Sequence, residues 1–210
     1  MMATQLYSFK ITYMECDSRI WRIAAVSSNY SLAQLGYLVL ATFDTMAYHL
    51  FEMKYKDTRY FLTEEDFEDL FFDGMEKSEL LSFVKIGKLG MHTGDVIEMT
   101  YDQGCCQVFK ITLLEISDMP KGCGRAYPKI LDGAGRGIVD DMPPEELAEA
   151  IRKIDLDGHS GIFYLSSGFT DVPEWNYRNY SIDLDNTLLK GTIERIRDGY
   201  ENYEDEYGES

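Results

Sequence analysis

Residues 6–55 read LYSFKITYMECDSRIWRIAAVSSNYSLAQLGYLVLATFDTMAYHLFEMKY, and this stretch decides the fold class. In LYSFKITYME, Tyr7, Phe9, Ile11 and Tyr13 alternate with Ser8, Lys10 and Thr12. A period of two is the signature of a half-buried strand. Cys16, Asp17 and Ser18 supply a turn, after which RIWRIAAV places Trp21, Ile23 and Ala25 on one face, so the two runs read as a β-hairpin. Ser31 and Gln34 then stand at capping-box spacing. Leu32, Leu35, Val39, Thr42, Phe43 and Met46 follow at helical intervals, which predicts an amphipathic helix laid on the hairpin. YHLFEMKY, residues 48–55, returns to strand alternation and completes a ββαβ start.

Outward from there the pattern stays legible in pieces. Thr63 can cap a helix over TEEDFEDLFF, ended by Gly74, while SELLSFVKI fits helix and strand equally. DVIEMTYD (95–102) and QVFKITLLEIS (107–117) form a second hairpin across Gln103, Gly104, Cys105 and Cys106. Residues 118–142 read as one long Gly/Pro-rich loop. PPEELAEAIRKI follows as a short helix, and a final helix is expected from about Asp185 to Arg197 with Gly199 behind it. No internal repeat or linker interrupts the chain. The expectation is an α+β fold: a mixed sheet built from hairpins with packed helices. It forms one domain over residues 1–197, with an acidic, disordered tail over 198–210.

Composition narrows the function classes. The 210 residues are 45% hydrophobic, 13% aromatic and 27% charged, enough for one substantial core. A net charge of −17 opposes both direct nucleic-acid binding, which needs a basic surface, and anionic membranes. The N-terminal residues lack a basic region followed by an apolar one, and the longest apolar run, residues 36–41, falls far short of the ~20 residues that span a bilayer. A soluble, cytoplasmic protein is expected. Cys16, Cys105, Cys106 and Cys123 form no C-x-x-C pair, so a zinc ribbon or thioredoxin motif is excluded and reduced thiols are expected.

Two constellations carry possible chemistry. Asp102, Asp132, Asp140 and Asp141 lie in turns and loops, where converging carboxylates hold Mg²⁺ or Mn²⁺. The competing reading is that turn aspartates simply bond nearby backbone. Residues 119–136 are locally basic, with Lys121, Arg125, Lys129 and Arg136, and Lys129 and Arg136 at the glycine-rich stretch Gly133 to Gly137 are suited to pairing with a small anion. It matches neither a dinucleotide fingerprint nor a P-loop, and turn glycines explain it as well. Together these give a candidate ligand site of Tyr101, Asp102, Gly104, Lys129, Asp132, Gly133 and Arg136. No G-x-S-x-G elbow is present, and only His49, His92 and His159 are available as imidazole bases. His49 reads as a structural histidine within a strand, and the other two as solvated turn residues.

Several segments in order resemble a known family: Tyr7-x-Phe9-Lys10-Ile11, Ile20-Trp21-Arg22 with Val26, Leu32-x-x-Leu35, and His49-Leu50-Phe51-Glu52. Tyr101-Asp102-x-Gly104 and Tyr127-Pro128-x-x-Leu131-Asp132-Gly133 complete the set. They are similar to the Ri-plasmid ORF-3-like family, some of whose members carry a resolvase-like or transposon-associated label. The resemblance implies an α+β fold, leaves a β-grasp arrangement open, and brings no established mechanism. The chain departs from the family's pattern at Cys105, Cys106 and Gln107, with Phe109 where a histidine would fall, and again at residues 137–141.

The resulting expectation is a non-catalytic binding or regulatory module in a plasmid or mobile-element setting. Its long loop, next to the 102–107 turn, would engage a protein partner or a small anionic ligand. The alternatives are a divalent-metal-dependent hydrolase or nuclease using the loop aspartates, and an acidic DNA-mimic inhibitor suggested by the charge.

Overall fold

A computed structural model describes residues 4–16, 18–63, 77–163 and 173–202. One eight-stranded sheet runs through them. In chain order the strands are β1 (Gln5–Tyr13), β2 (Trp21–Ser27), β3 (Phe51–Tyr55), β4 (Thr58–Phe61), β5 (Lys77–Leu80), β6 (Val96–Tyr101), β7 (Gln107–Asp118) and β8 (Lys129–Ala134). Their spatial order is β5-β4-β3-β6-β7-β1-β2-β8, antiparallel throughout except for the β4–β5 pair. The helices are α1 (Leu32–Thr42), α2 (Pro144–Asp157) and α3 (Ile182–Glu201). The protein is α+β, with a mixed sheet, and both expected hairpins are present.

Register sets the two faces. Tyr13, Phe109, Met99, Met53 and Tyr60 align across five strands, and all five are buried. One residue along, Lys110, Glu98 and Lys54 stand opposite one another, an alternation of sign that favours pairing on the polar face. The same register decides which face of β2 meets the core. Arg22, Ala24 and Val26, not Trp21, Ile23 and Ala25, share the core face with Ile11, Phe9 and Tyr7. An arginine at a core position misleads the hydrophobic pattern. Arg22 is 1% exposed and tolerates burial because Nε donates to the Thr42 carbonyl at 2.9 Å and Nη1 to those of Trp21 and Ala134 at 2.9 and 2.8 Å. Its guanidinium lies 3.8 Å from the centre of the Tyr180 ring.

The capping box forms as the spacing predicts, with Ser31 Oγ accepting from Gln34 N and Gln34 Oε1 from Ser31 N. Yet α1 is not amphipathic in use: Leu32, Ala33, Leu35, Gly36, Tyr37, Leu38, Val39 and Leu40 are all buried. It is held between layers. Gly36 abuts the Phe51 ring of the sheet, and Phe43 meets Phe109 edge-on, while Tyr37 stacks on Tyr200 of α3 at 5.6 Å. A helix enclosed on both sides buries its whole circumference.

Three segments differ from expectation. The 118–142 loop contains β8, which pairs with β2; with glycine inside it and no period-two alternation, the strand gives no sequence signal. At Ile130 its outer edge is covered by Asn186 of α3, whose Oδ1 accepts from Ile130 N and whose Nδ2 donates to Ile130 O, both at 2.9 Å. Helix α3 begins earlier and runs through Gly199 to Glu201, carrying residues 198–201 with it because Tyr200 packs inward against Tyr37 and Phe51. The 48–55 strand starts only at Phe51, so His49 belongs to the loop after α1. The helix expected over 63–72 lies outside the described residues beyond Thr63. Among the described residues no helix is long and apolar enough to cross a membrane.

Candidate functional site

Three chain segments meet at the end of β6: the loop between α1 and β3, the β6–β7 turn, and the stretch before α2. Backbone strain concentrates there. Asp44, Ala47, Asp102, Cys106 and Asp141 all have φ between 53° and 59°, a region that non-glycine residues occupy at a cost and that clusters at functional sites.

The β6–β7 turn builds the first carboxylate. Asp102 Oδ1 accepts from Gly104 N at 3.1 Å and Cys105 N at 3.3 Å, and its carbonyl accepts from Cys106 N at 2.6 Å. This is ordinary turn chemistry, and it uses one oxygen only. Oδ2 is buried and has no hydrogen-bond donor. It faces His49 Nε2 at 3.6 Å, and His49 Nε2 lies 2.8 Å from Asp141 Oδ1. The three ligand-type atoms are within 4.8 Å of one another.

Around this trio the supports are aromatic. Tyr48 donates to Asp141 Oδ2, and its ring lies 4.3 Å from that of His49. The Tyr48 hydrogen bond, followed by that from His49, holds the Asp141 carboxyl below its usual range, and the same contact pushes Tyr48 up to about 12. Tyr101 packs edge-on against His49 and donates to Asp140 Oδ1 at 2.6 Å. Burial and then this bond raise its phenol. Tyr200 donates to the His49 carbonyl and so fixes the loop from α3. Asp140 has both oxygens engaged, the second by Met46 N at 2.9 Å. It therefore ties the two loops together. Cys105 stays a thiol, since burial and then the Asp102 charge raise it.

The residues expected from sequence thus divide. Tyr101, Asp102, Gly104, Asp140 and Asp141 come together; Lys129, Asp132, Gly133 and Arg136 do not join them. Asp132 sits in register with Ile23, Lys10, Thr112 and Val96, four strands from β6, or about 19 Å at normal strand spacing. Its Oδ1 accepts from Gly133 N. Lys129 opens β8 and is exposed, whereas Arg136 lies beyond the strand's other end and pairs with Asp44 at 2.7 Å. The two cations share no site. Gly133 is tight for a different reason, because a Cβ there would meet Tyr180 Oη at 2.9 Å and Arg22 Cδ at 3.0 Å. Sequence reasoning missed His49 and Tyr48. The adjacent aromatic and imidazole at the end of a strongly apolar helix were the signal, masked by their fit to the following strand.

The family model for "Plasmid pRiA4b ORF-3-like protein" matches residues 5–159. The chain belongs to this family. No curated protein matches it. Among solved structures, the crystal structure of the protein of unknown function MM3350 from Methanosarcina mazei Go1 is similar over 86% of this chain and 99% of that one, at a TM-score of 0.64 and 17% identity. That likeness shows a shared fold. Within the plasmid pRiA4b ORF-3-like segment lie His49, Asp102 and Asp141, whereas α3 and its Tyr200 lie beyond it. Phe109, at the position where the resemblance placed a histidine, is fully buried against Tyr13 and Phe43. A polar ring there would enter the core rather than the cluster at His49.

Proposed function

We propose that the protein is a binding module whose ligand is a divalent cation, held by His49 Nε2, Asp102 Oδ2 and Asp141 Oδ1. The observation that carries this reading is the buried Asp102 oxygen without a donor, aimed at two further ligand atoms. An uncompensated buried carboxylate oxygen is costly, and a cation removes that cost. Ligand atoms on one ion stand about 3 Å apart for bonds of the usual length, so small side-chain rotations suffice. One imidazole with two carboxylates suits Mn²⁺ or Zn²⁺ better than Mg²⁺. The plasmid context of the family's description supports a mobile-element setting. A metal-dependent hydrolase or nuclease is the second reading, favoured by the ligand count: three protein atoms leave coordination positions for water and substrate.

Thermal unfolding with Mn²⁺, Zn²⁺ or Mg²⁺ tests it. An ion at 100 times its Kd adds about 2.7 kcal/mol, a midpoint rise of roughly 5–10 °C at this size. Asp102→Asn and Asp141→Asn should each abolish the rise, and Asp132→Asn should leave it intact. A rise that survives Asp102→Asn, or no rise with any of the ions, refutes the site. Turnover of a bis(nitrophenyl) phosphate by the Mn²⁺-loaded protein, lost in the same variants, would establish the hydrolase reading.

A further inference from the structure

At the other end of β3 from His49, the β3–β4 turn and the chain from Phe83 to Leu89 enclose an open depression of about 690 Å³. That falls within the range of small-molecule sites. Tyr55, Tyr60 and Phe83 form its apolar walls, and Lys56, Lys85 and Lys88 surround it. Two features set it apart. Phe83 is 79% exposed, unusual for a phenylalanine with a core available beside it. Lys85 and Lys88 have no carboxylate partner among the described residues, in a chain where acids outnumber bases 37 to 20. Lys56 is only distantly paired, its Nζ lying 3.9 Å from Asp95 and 4.7 Å from the Tyr55 ring centre. Among the described lining residues Glu79 is the one acid, against three lysines.

The molecule's overall charge repels anions, whereas among the described residues three ammonium groups gather around one aromatic hollow. Lysines act as mobile point charges for phosphate, and an exposed ring beside them offers a face for an aromatic body. We propose that this depression binds a small phosphomonoester carried on a planar ring, the phosphate lying between Lys85 and Lys88 and the ring against Phe83. The site is independent of the proposed cation site.

Isothermal titration of the full chain with phenyl phosphate, adenosine monophosphate and inorganic phosphate at low salt tests it. The two ring-bearing probes should bind about tenfold more tightly than inorganic phosphate, equivalent to ~1.4 kcal/mol. Lys85→Gln with Lys88→Gln should weaken all three probes at least about tenfold, a loss expected where charge-assisted bonds are removed. Phe83→Ala should erase the ring preference while leaving inorganic phosphate unchanged. All of these residues are at the surface, so the variants fold. Equal affinity for the three probes, unchanged binding in the double lysine variant, or no heat with any probe at millimolar concentration overturns the proposal. Tighter binding of a poly-glutamate peptide than of phenyl phosphate would overturn it in favour of protein docking.

Discussion

Arg22 shows how much of this fold rests on one side chain. Its donors satisfy carbonyls from β2, the end of α1 and the end of β8, and its flat face covers Tyr180. Replacing it with alanine would strand those carbonyls and open a void beneath Tyr180. Leaving a buried acceptor without its donor costs about 1–3 kcal/mol, and three carbonyls lose theirs, so chemical denaturation of Arg22→Ala should show a loss of about 3 kcal/mol or more. Arg22→Lys should recover only part, because an ammonium cannot reproduce the planar fork. None of this is legible from the sequence, where an arginine in RIWRIAAV reads as a solvent-facing position. Asp102 is similar: its presence in a turn was plain, but the idle second oxygen is a fact of packing, visible only once Gly104 and Cys105 have taken the first.

Elements were legible where local signals agreed with one another. The capping box, the helical spacing and the flanking strands all pointed to α1, and Ser31→Ala should cost about 1 kcal/mol by removing the bond to Gln34 N. Urea unfolding of that variant, with an unchanged slope, is the check. The two hairpins were equally clear. What could not be read was β8, because residues 129–134 gain strand character only by offering their backbone to β2. The start of β3 failed for a related reason. Tyr48, His49 and Leu50 have strand-like chemistry, yet contacts from Tyr200 and Asp141 pull them into the loop that builds the cluster. Its ligand atoms come from positions 49, 102 and 141, so no window of sequence contains them together.

For the molecule as a whole, surface hydrogen bonds and ion pairs to carboxylates set the pH response. Asp95, held down chiefly by the Tyr55 hydroxyl, and Asp155, held down chiefly by that of Tyr177, both titrate below 3.8, and Glu174 titrates below 4.5 because of His159. Depressed carboxyls contribute fully above their unfolded values and lose that contribution as pH falls through the folded ones. His159 is raised above 6.5 by Glu174, so its share is complete below 6.5 and disappears as pH rises through the higher folded value. Asp185, raised by burial, opposes the trend on the acid side. Unfolding midpoints should therefore be highest between about pH 4.5 and 6.5, and His159→Gln should flatten the alkaline decline; an unchanged alkaline limb would contradict this assignment. The sheet's last strand carries a consequence of another kind. An open β-edge is a template on which further chains can grow, and β8 is such an edge. The Asn186 amide occupies the donor and acceptor of Ile130 as a neighbouring peptide would. A helix thus supplies a single counterfeit peptide unit, and at that point strand addition, the first step toward a fibril, has no place to start.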